Sequence, residues 1–460
     1  MKKILLLVAA ALAAGCAVGP DYNRPAFALP ESFSLSEKSE PPGIAADWWK
    51  LYGDPSLDEL VAATQANNAD LRLAVARVQE AEGVLREAGA AIFPDISAGY
   101  SYGRNRISNA TVPPPLGGFP LVRTQHQLLA STSYELDFWG RLARGTEAAR
   151  ANLLGTRYAR DVVALTLASA AAQTYFGLRS LDAQVTVLDQ TIRTRSEALD
   201  LARARQQGGL ASELDVFQAQ GALSDALVQR RDSERQRALL ERQLGQLTGR
   251  FDLKLASGDL FKLPVPPTPP AGLPSALLDR RPDIRNAEES LVAANAQIGV
   301  ARAALFPSIS LTATLGAQSA ELGDLVSRSG GIWAIGAGLA GPIFDAGRRE
   351  ARVDQTQARR EQTLAGYQRS VETAFREVAD ALVNVGESAA TEEELWVRLQ
   401  AARNALDLSN VRYESGYSPY LEVLDAQRTA NDAELAFVRN RQARLAFTVD
   451  LMKALGGGWK

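Results

Sequence analysis

Apolar residues alternate with small or polar ones along four short segments of this 460-residue chain. In the first segment Ile96, Tyr100 and Tyr102 share one face, and serine and glycine occupy the other. A period of two is typical of a β-strand with one apolar face. The apolar positions of the four segments span 96–102, 128–138, 309–315 and 333–339. The pattern predicts β-hairpins at about residues 95–139 and 308–344. Strands of roughly ten to twelve residues fit a tilted membrane crossing, although a soluble sandwich alternates in the same way.

A long proline-free stretch follows each predicted hairpin. Within the first stretch apolar residues recur three and four positions apart, as at Leu178, Leu181 and Leu188. This spacing is typical of a coiled-coil seam. It predicts two helices, residues 142–207 and 349–414, each a rod of roughly 100 Å at about 1.5 Å per residue.

Each long helix is followed by a glycine turn and a second helix. The turns contain Gly208 and Gly209 in the first half and Gly416 in the second. The returning helices are predicted at residues 212–248 and 419–455. Equal antiparallel rods attached to two hairpins indicate an elongated, twice-repeated protomer.

An internal duplication explains why the same order of hairpin, long helix, glycine turn and returning helix appears twice. Residues 70–97 align with 283–310 without a gap, and 11 of the 28 pairs are identical. Residues 198–220 align with 405–427, at an offset of 207, with 10 of 23 pairs identical. Two such matches in the same order indicate one ancestral unit copied once. The halves meet at the proline-rich stretch 263–274.

The duplication gives the predicted domain organisation. Two structural repeats are joined by a linker and preceded by an extended N-terminal segment that is expected to be lipid-anchored. Resemblance to a known family implies that this segment makes equatorial contacts. The predicted ranges are 1–15 for a signal peptide, 16–56 for the N-terminal segment, 57–262 for the first repeat, 263–274 for the linker, 275–455 for the second repeat and 456–460 for a C-terminal tail.

Composition narrows the function. The chain has one histidine, His126, and one cysteine, Cys16. Metal sites made of histidine and cysteine clusters, and cysteine or serine nucleophiles paired with histidine, are therefore excluded in practice. A net charge of −3 gives no basic footprint for nucleic acid. No catalytic residues and no enzyme activity are predicted.

The N-terminus reads as a processing segment. A basic "MKK" precedes the apolar "ILLLVAAALAA", which is too short to span a bilayer. The sequence "LAAGC" resembles a bacterial lipobox, so a covalent lipid is expected on Cys16. The alternative is an ordinary signal peptide followed by an incidental cysteine. One lipid anchors weakly, so a second membrane attachment is expected.

Four strands in one chain leave two open sheet edges. Unpaired N–H and C=O groups are not tolerated in lipid, so the sheet must close by association of subunits. Eight, twelve or sixteen strands would result, and the small residues of the inner face favour a pore over a filled interior. These residues favour three or four subunits without choosing between them.

Several motifs resemble the TolC-like outer-membrane factor family, in its lipoprotein (OprM/NodT-like) efflux branch. The similarity covers almost the whole chain after the signal peptide. The motifs are "LAAGCAVGPDY", "DWWKLYGDPSLDELV", "LLDRRPDIRNAE", "LFPSISL", "GPIFDAGRR" and "YLEVLDAQR".

The resemblance implies a mostly α fold with membrane β-strands. It implies a homotrimer in which helix–hairpin–long-helix repeats form a 12-stranded β-barrel and a 12-helix tunnel. The channel would sit in the outer membrane of a Gram-negative bacterium and extend into the periplasm. It would work with a periplasmic adaptor (membrane fusion) protein and an inner-membrane pump in a tripartite (RND-type) system that exports drugs or other small molecules.

The resemblance also implies a constriction at the periplasmic tip. The positions that match the family's gate are Leu421, Glu422 and Asp425, and Asp215 occupies the repeat-equivalent turn. Three copies of Asp425 would converge on the axis and bind cations, including divalent ones. The alternative is structural, since Glu422 follows Pro419 at a helix start.

The same resemblance marks further residues at the tips. Tyr413 and Ser418 match positions that tie neighbouring helices together, although Ser418 lacks the basic side chain of some relatives. The segments expected to meet the adaptor contain Gly209, Leu210, Ala211, Gly416 and Tyr417.

Other conspicuous residues have structural interpretations. "RRPDI" predicts a helix start at Pro282, with Asp283 near the positive end of the helix dipole. His126 has no evident partner and is expected to be incidental. Tyr100, Trp139 and Trp333, together with Tyr102, are expected as interfacial anchors or as ordinary strand aromatics.

Two other functions compete with a small-molecule efflux channel. One is a channel for secreted proteins or peptides. The lipobox and the "RRPDI" block favour efflux over this function. The other is a coiled-coil scaffold lipoprotein without a pore, against which the alternating hairpins argue.

Overall fold

The computed structural model describes residues 17–27, 45–108, 121–268 and 274–458. The fold is mostly helical with one four-stranded sheet, as the sequence predicts. The helices are α1 Pro55–Asn67, α2 Ala69–Ala90, α3 Arg141–Gln207, α4 Glu213–Thr248, α5 Pro274–Arg280, α6 Pro282–Ala303, α7 Arg348–Glu414 and α8 Tyr420–Ala454. The strands are β1 Asp95–Arg106, β2 Val122–Leu136, β3 Ser308–Ser319 and β4 Gly331–Ala340. Short 3-10 turns span Trp48–Tyr52, Leu260–Lys262, Leu322–Val326 and Arg328–Gly330.

The helices confirm the predicted duplication. Helices α3 and α7 each contain 67 residues and begin one residue before the predicted start. The seam residues Leu178, Leu181 and Leu188 are buried, as the heptad spacing requires. Helices α2 and α6 end at Ala90 and Ala303, three residues before the predicted end at Phe-Pro, because a short turn separates each helix from its proline.

The sheet has the order β1-β2-β3-β4, and all neighbours are antiparallel. Its register places the predicted apolar positions in line across the strands: Ala98 pairs with Ala130, Ala130 with Leu315, and Leu315 with Trp333. The other face carries serine, threonine and glycine. The outer edges of β1 and β4 have no partner strand among the described residues.

The expectation that His126 lacks a partner is wrong. The register pairs His126 with Tyr102, and the His126 Nδ1 is hydrogen-bonded to the Tyr100 hydroxyl at 2.8 Å. The His126 and Tyr102 rings lie 5.0 Å apart. Cross-strand neighbours depend on the hairpin register, which the spacing of single residues does not reveal.

In the described part of the chain, no helix combines the length and apolar character needed to cross a membrane. The chain divides into two structural units. The first unit contains Met1–Ala26, Arg77–Thr156 and Asn286–Tyr367, and the second contains Phe27–Ala76, Arg157–Arg285 and Gln368–Lys460.

In the first unit, residues 17–26 form an N-terminal strap. The strap is held by hydrogen bonds and ion pairs. The Val18 amide donates to the Trp139 carbonyl at 3.1 Å. The Arg24 guanidinium donates to both carboxylate oxygens of Glu288, at 2.6 and 2.7 Å. Two parallel charge-assisted bonds fix direction as well as distance, so the strap has one defined path.

The core of the second unit is built around the "DWWKLYGDPSLDELV" motif. Trp48 and Tyr52 are buried, and the Tyr52 hydroxyl lies 2.7 Å from the Thr448 hydroxyl. Asp54 caps α1 and also accepts a hydrogen bond from the Tyr175 hydroxyl. Burial, together with the Asp54 carboxylate, raises the pKa of Tyr175 to about 12, so this hydroxyl remains a donor.

A buried charge network attaches the segment after α4 to the long helices of the second unit. The Asp182 side chain is 2% exposed and accepts from Arg179 at 2.9 Å, Arg237 at 2.6 Å and the Gly258 amide at 3.0 Å. The Arg179 guanidinium also donates to the Ala256 carbonyl at 2.7 Å. Since each buried charge has a partner, the segment is fixed to both helices.

The "RRPDI" block begins a helix, as predicted. Its Arg281 also contacts distant segments of the chain, which the sequence did not predict. Helix α6 starts at Pro282 with Asp283 in its first turn. Buried Arg281 contacts Asp283 at 2.6 Å and Glu377 at 2.7 Å, and donates to the Ala454 carbonyl at 2.8 Å. It therefore joins the start of the second repeat to the end of α8.

Replacing Asp182 with Ala should be strongly destabilising, because the buried Arg179 and the half-buried Arg237 lose their shared carboxylate. We expect the free energy of unfolding to fall by about 3–5 kcal/mol. Thermal unfolding followed by circular dichroism in detergent measures the effect. Asp200→Ala is the matched control, since Asp200 on the same helix is 73% exposed in its side chain and its pair with Arg203 is 3.8 Å long. Equal melting temperatures for the two variants would contradict the proposed role of the network.

Candidate functional site

The turn between α3 and α4 and the turn between α7 and α8, here called the first and second tips, have the same backbone geometry. Gly209 and Gly416 adopt left-handed φ values of 72° and 79°, which favour glycine. The matching hydrogen bonds run from Leu210 N to Arg205 O and from Tyr417 N to Arg412 O, both 2.8 Å. Both helices therefore end in the same glycine-dependent cap, 207 residues apart.

The residues expected to meet an adaptor lie at these tips. Leu210 and Tyr417 are 82% and 81% exposed, and Ala211 is half-buried. Exposed apolar side chains mark a site for a partner when they form a contiguous patch.

Asp215 is a helix cap in this structure. It forms a capping box with Ser212: the Asp215 amide donates to the Ser212 hydroxyl at 3.2 Å, and the Ser212 amide donates to the Asp215 carboxylate at 3.1 Å. The carboxylate is thereby held against the start of α4. The structure thus supplies a structural role for Asp215 beside the predicted gate role.

An apolar cluster packs the two tips together within the second unit. Its buried members are Leu199, Ala202, Ala219, Tyr413, Tyr420 and Val423. The Tyr413 and Tyr420 rings lie 5.5 Å apart. Burial raises the pKa of the Tyr420 hydroxyl, so it carries no charge at neutral pH.

The predicted ties at Tyr413 and Ser418 are not made by hydroxyl groups within one chain. Both hydroxyls are buried, and neither has a hydrogen-bond partner among the described residues. Arg205 makes the connection between the tips instead: its guanidinium lies 4.4 Å from the centre of the Tyr413 ring and donates to the Tyr413 and Glu414 carbonyls, at 3.1 and 3.0 Å.

Sequence reasoning missed Arg205, although a signal was present. The second alignment places Arg205 opposite Arg412, one of ten identical pairs. A basic residue kept two positions before the last residue of a duplicated helix is well placed to bind helix carbonyls.

The predicted gate residues share one exposed face of α8. Leu421, Glu422 and Asp425 are exposed, whereas Tyr420 and Val423 on the other face are buried in the tip cluster. The spacing of four residues between Leu421 and Asp425 places them one turn apart, as the sequence predicted. This face is free to line a passage.

The two acidic gate residues of α8 each have an arginine partner. Asp425 contacts Arg428 at 2.8 Å, with both side chains 67% exposed, and Glu422 contacts Arg412 at 3.1 Å. The tip therefore presents paired charges, whereas the sequence suggested carboxylates alone. Among the described residues, no three acidic, histidine or cysteine side chains gather into a metal-sized cluster within one chain. Such a face acts by steric fit and electrostatics.

The predicted lipid site, Cys16, and the signal peptide lie outside the described residues.

Comparison with known proteins places the chain. The family model described as outer membrane efflux protein matches residues 60–250 and 273–457. The chain is 33% identical to the cation efflux system protein CusC of Escherichia coli, over 100% of this chain and 99% of that protein. It is 34% identical to the probable efflux pump outer membrane protein TtgC of Pseudomonas putida, over 99% and 95% of the two chains.

A solved structure agrees with these relatives. The open state of the MtrE outer membrane channel of Neisseria gonorrhoeae superposes with a TM-score of 0.87 and 30% identity, over 97% of this chain and 99% of that one. The duplicated helices, the sheet with one apolar face and the family match lead to one conclusion: the chain belongs to the outer membrane efflux protein family and is an outer-membrane efflux channel.

Proposed function

We propose that this protein is the outer-membrane channel of a tripartite (RND-type) efflux system and works as a homotrimer. The observation that carries the proposal is the sheet, whose edge strands β1 and β4 are unpaired among the described residues. In lipid these edges need partners, and pairing β1 of one subunit with β4 of the next closes the sheet. Three copies give twelve strands, enough for a pore, whereas eight strands leave an interior filled by side chains.

The two faces of the sheet suit this arrangement. Ile96, Trp333 and Ile335 on the apolar face are 78%, 74% and 79% exposed, which matches a surface that contacts lipid. Gly99 and Gly103 lie on the small-residue face, where a Cβ would meet no atom within 4 Å. The small-residue face supports an open, polar lumen.

The N-terminal strap supports lipid anchoring through Cys16. Ala17 packs on Gly140, which directly precedes α3, and a Cβ added to Gly140 would come within 2.9 Å of the Ala17 Cβ. A Cβ on Gly19 would lie 2.6 Å from the Gly299 Cα, so the strap fits only with glycine there. A lipid attached one residue before Ala17 would enter the membrane next to the base of the sheet, and the sheet is the second attachment.

The tips support a partnership with a periplasmic adaptor protein and an inner-membrane pump. Leu210 and Tyr417 present apolar side chains to solvent, and the glycine turns allow close approach of a partner. The relatives named as parts of efflux systems and pumps favour this interpretation. The cargo is a drug or another small molecule, and its selection is assigned to the pump.

Single-channel conductance tests the pore. Gly99→Trp places a bulky ring on the proposed lumen face and should lower the conductance of the mature protein in planar bilayers to roughly half or less, because conductance follows pore diameter. Leu315→Trp is the matched control, since Leu315 lies on the apolar face and is 68% exposed. Equal effects of the two changes, or no channels from the wild-type protein, would contradict the proposal.

Divalent-cation block tests the role of Asp425. Asp425→Ala should weaken the block, and Arg428→Ala should strengthen it by removing the neighbouring positive charge. Because an exposed ion pair contributes about 1 kcal/mol or less, we expect either substitution to change the strength of the block by about fivefold or less. The measurement is divalent-cation block of the channel at several pH values. Block of Asp425→Ala equal to that of the wild-type protein would refute a gate role.

Acyl labelling tests the anchor. Cys16 is the single cysteine of the chain, so Cys16→Ser should abolish incorporation of labelled fatty acid. Trimers should still form, because the proposed sheet closure does not use the lipid. Persistent labelling of the variant would show that the lipobox assignment is wrong.

A further inference from the structure

The first hairpin carries basic charge without acidic charge beside it. Residues 96–134 contain no aspartate or glutamate, and their three arginines are Arg104, Arg106 and Arg123. The second hairpin is mixed, since residues 309–344 contain two acidic residues and one arginine. An arginine on the outside of a barrel is costly beside the hydrocarbon and tolerated at the membrane surface. The face and the height of the three arginines therefore decide what they can bind.

The strand register places two of the three arginines on the apolar face of the sheet. Side chains alternate between the two faces of a strand, so Arg104 and Arg106 share the face of Tyr102. The residue opposite Arg104 on β2 is the uncharged Thr124. Arg123 is one position out of this alternation and lies on the small-residue face.

Both arginines lie at the end of the sheet that is remote from the helices. Leu136 ends β2 just before α3, whereas Arg106 ends β1 on the far side of the sheet. The channel extends into the periplasm, so the far side faces the outside of the cell. Leu136 and His126, the partner of Tyr102, are ten positions apart. At about 3.3 Å per residue and a tilt of about 40°, they differ by roughly 25 Å in height, which is the height of the apolar band of an outer-membrane barrel.

Polar aromatic side chains mark the outer boundary of this band. The Tyr100 hydroxyl lies 2.8 Å from the His126 Nδ1, and the His126 and Tyr102 rings lie 5.0 Å apart. Tyrosine rings at this level are typical of the interfacial girdle. Arg104 and Arg106 follow Tyr102 by two and four positions, or roughly 7 and 13 Å along the strand. They therefore lie in the headgroup layer of the outer leaflet.

Neither guanidinium is neutralised within the chain. Arg104 and Arg106 are exposed, and the described residues supply no hydrogen bond or ion pair to either side chain. Glu321 and Asp324, the acidic residues that follow β3, form no ion pair with them. Two positive groups about 7 Å apart along one strand thus face the lipid headgroups without a partner.

We propose that Arg104 and Arg106 bind the phosphate groups of the phosphorylated glycolipid, lipopolysaccharide, that forms the outer leaflet of a Gram-negative outer membrane. A guanidinium donates two parallel hydrogen bonds to a phosphate and stays charged at every physiological pH. The Tyr100 and Tyr102 rings lie directly below, where the acyl chains of the glycolipid begin. The site faces the lipid within a single chain, so it does not depend on the number of subunits.

The charge distribution of the hairpin favours the glycolipid over a glycerophospholipid. Phospholipid phosphates offer the same chemistry, but they belong to the periplasmic leaflet. At that end of the first hairpin the chain carries Asp95, Glu135 and Asp137. The hairpin is thus acidic where it meets phospholipid and basic where it meets lipopolysaccharide.

Binding of purified lipopolysaccharide to the delipidated channel tests the site, with native mass spectrometry in mild detergent as the measurement. Arg104→Gln and Arg106→Gln should each weaken binding about fivefold, the factor expected for one arginine at an anionic headgroup layer. Arg123→Gln is the matched control, because it removes the same charge from an exposed side chain at the same height on the opposite face. It should leave the affinity unchanged. Wild-type conductance of Arg104→Gln and Arg106→Gln shows that both variants are folded.

The alternatives give different results. Equal weakening by Arg123→Gln would show that binding follows net charge, and the site would be wrong. Equally tight binding of dephosphorylated lipopolysaccharide would exclude phosphate recognition, and equally tight binding of phosphatidylglycerol would exclude the choice of the glycolipid. A wild-type protein that forms channels but binds no lipopolysaccharide would overturn this inference alone, whereas a protein that forms no channels would overturn the proposed function.

Discussion

The main-chain hydrogen bonds at the sheet edges are the constraint on which the rest of the structure depends. A four-stranded antiparallel sheet leaves the outer N–H and C=O groups of β1 and β4 unpaired among the described residues. Water satisfies such groups in a soluble protein, and lipid does not. An outer-membrane channel with this sheet must therefore share its wall with copies of itself, and each subunit must present complementary edges.

The internal duplication also gives the helical part of the chain two equivalent halves. Two 67-residue helices end in equal glycine caps, at Gly209 and Gly416. Small departures from the repeat then give the two tips different side-chain contacts. Ser212 and Asp215 form a capping box, whereas Pro419 leaves Glu422 free for Arg412. A single serine-to-proline difference therefore changes how the start of the returning helix is capped.

The sequence predicted the large features because they depend on periodicity and on the repeat. The ends of α3 and α7 and the apolar face of the sheet follow from spacing alone. The sequence did not predict contacts between distant segments, such as the Tyr100 hydrogen bond to His126 or the Arg281 contact with Ala454, because register and packing decide them. The pairing of Asp425 with Arg428 is of a different kind, because it joins residues three positions apart on one helix and the spacing alone indicates it.

The mass of the mature protein, extracted in mild detergent and measured by multi-angle light scattering, tests the central claim most directly. The full 460-residue chain weighs 49.4 kDa, so sheet closure by three subunits predicts a protein mass near three times that of the chain left after removal of the proposed signal peptide. The particle should require detergent to stay in solution. A stable, detergent-independent monomer would show that the hairpins complete their own sheet, and it would contradict the account.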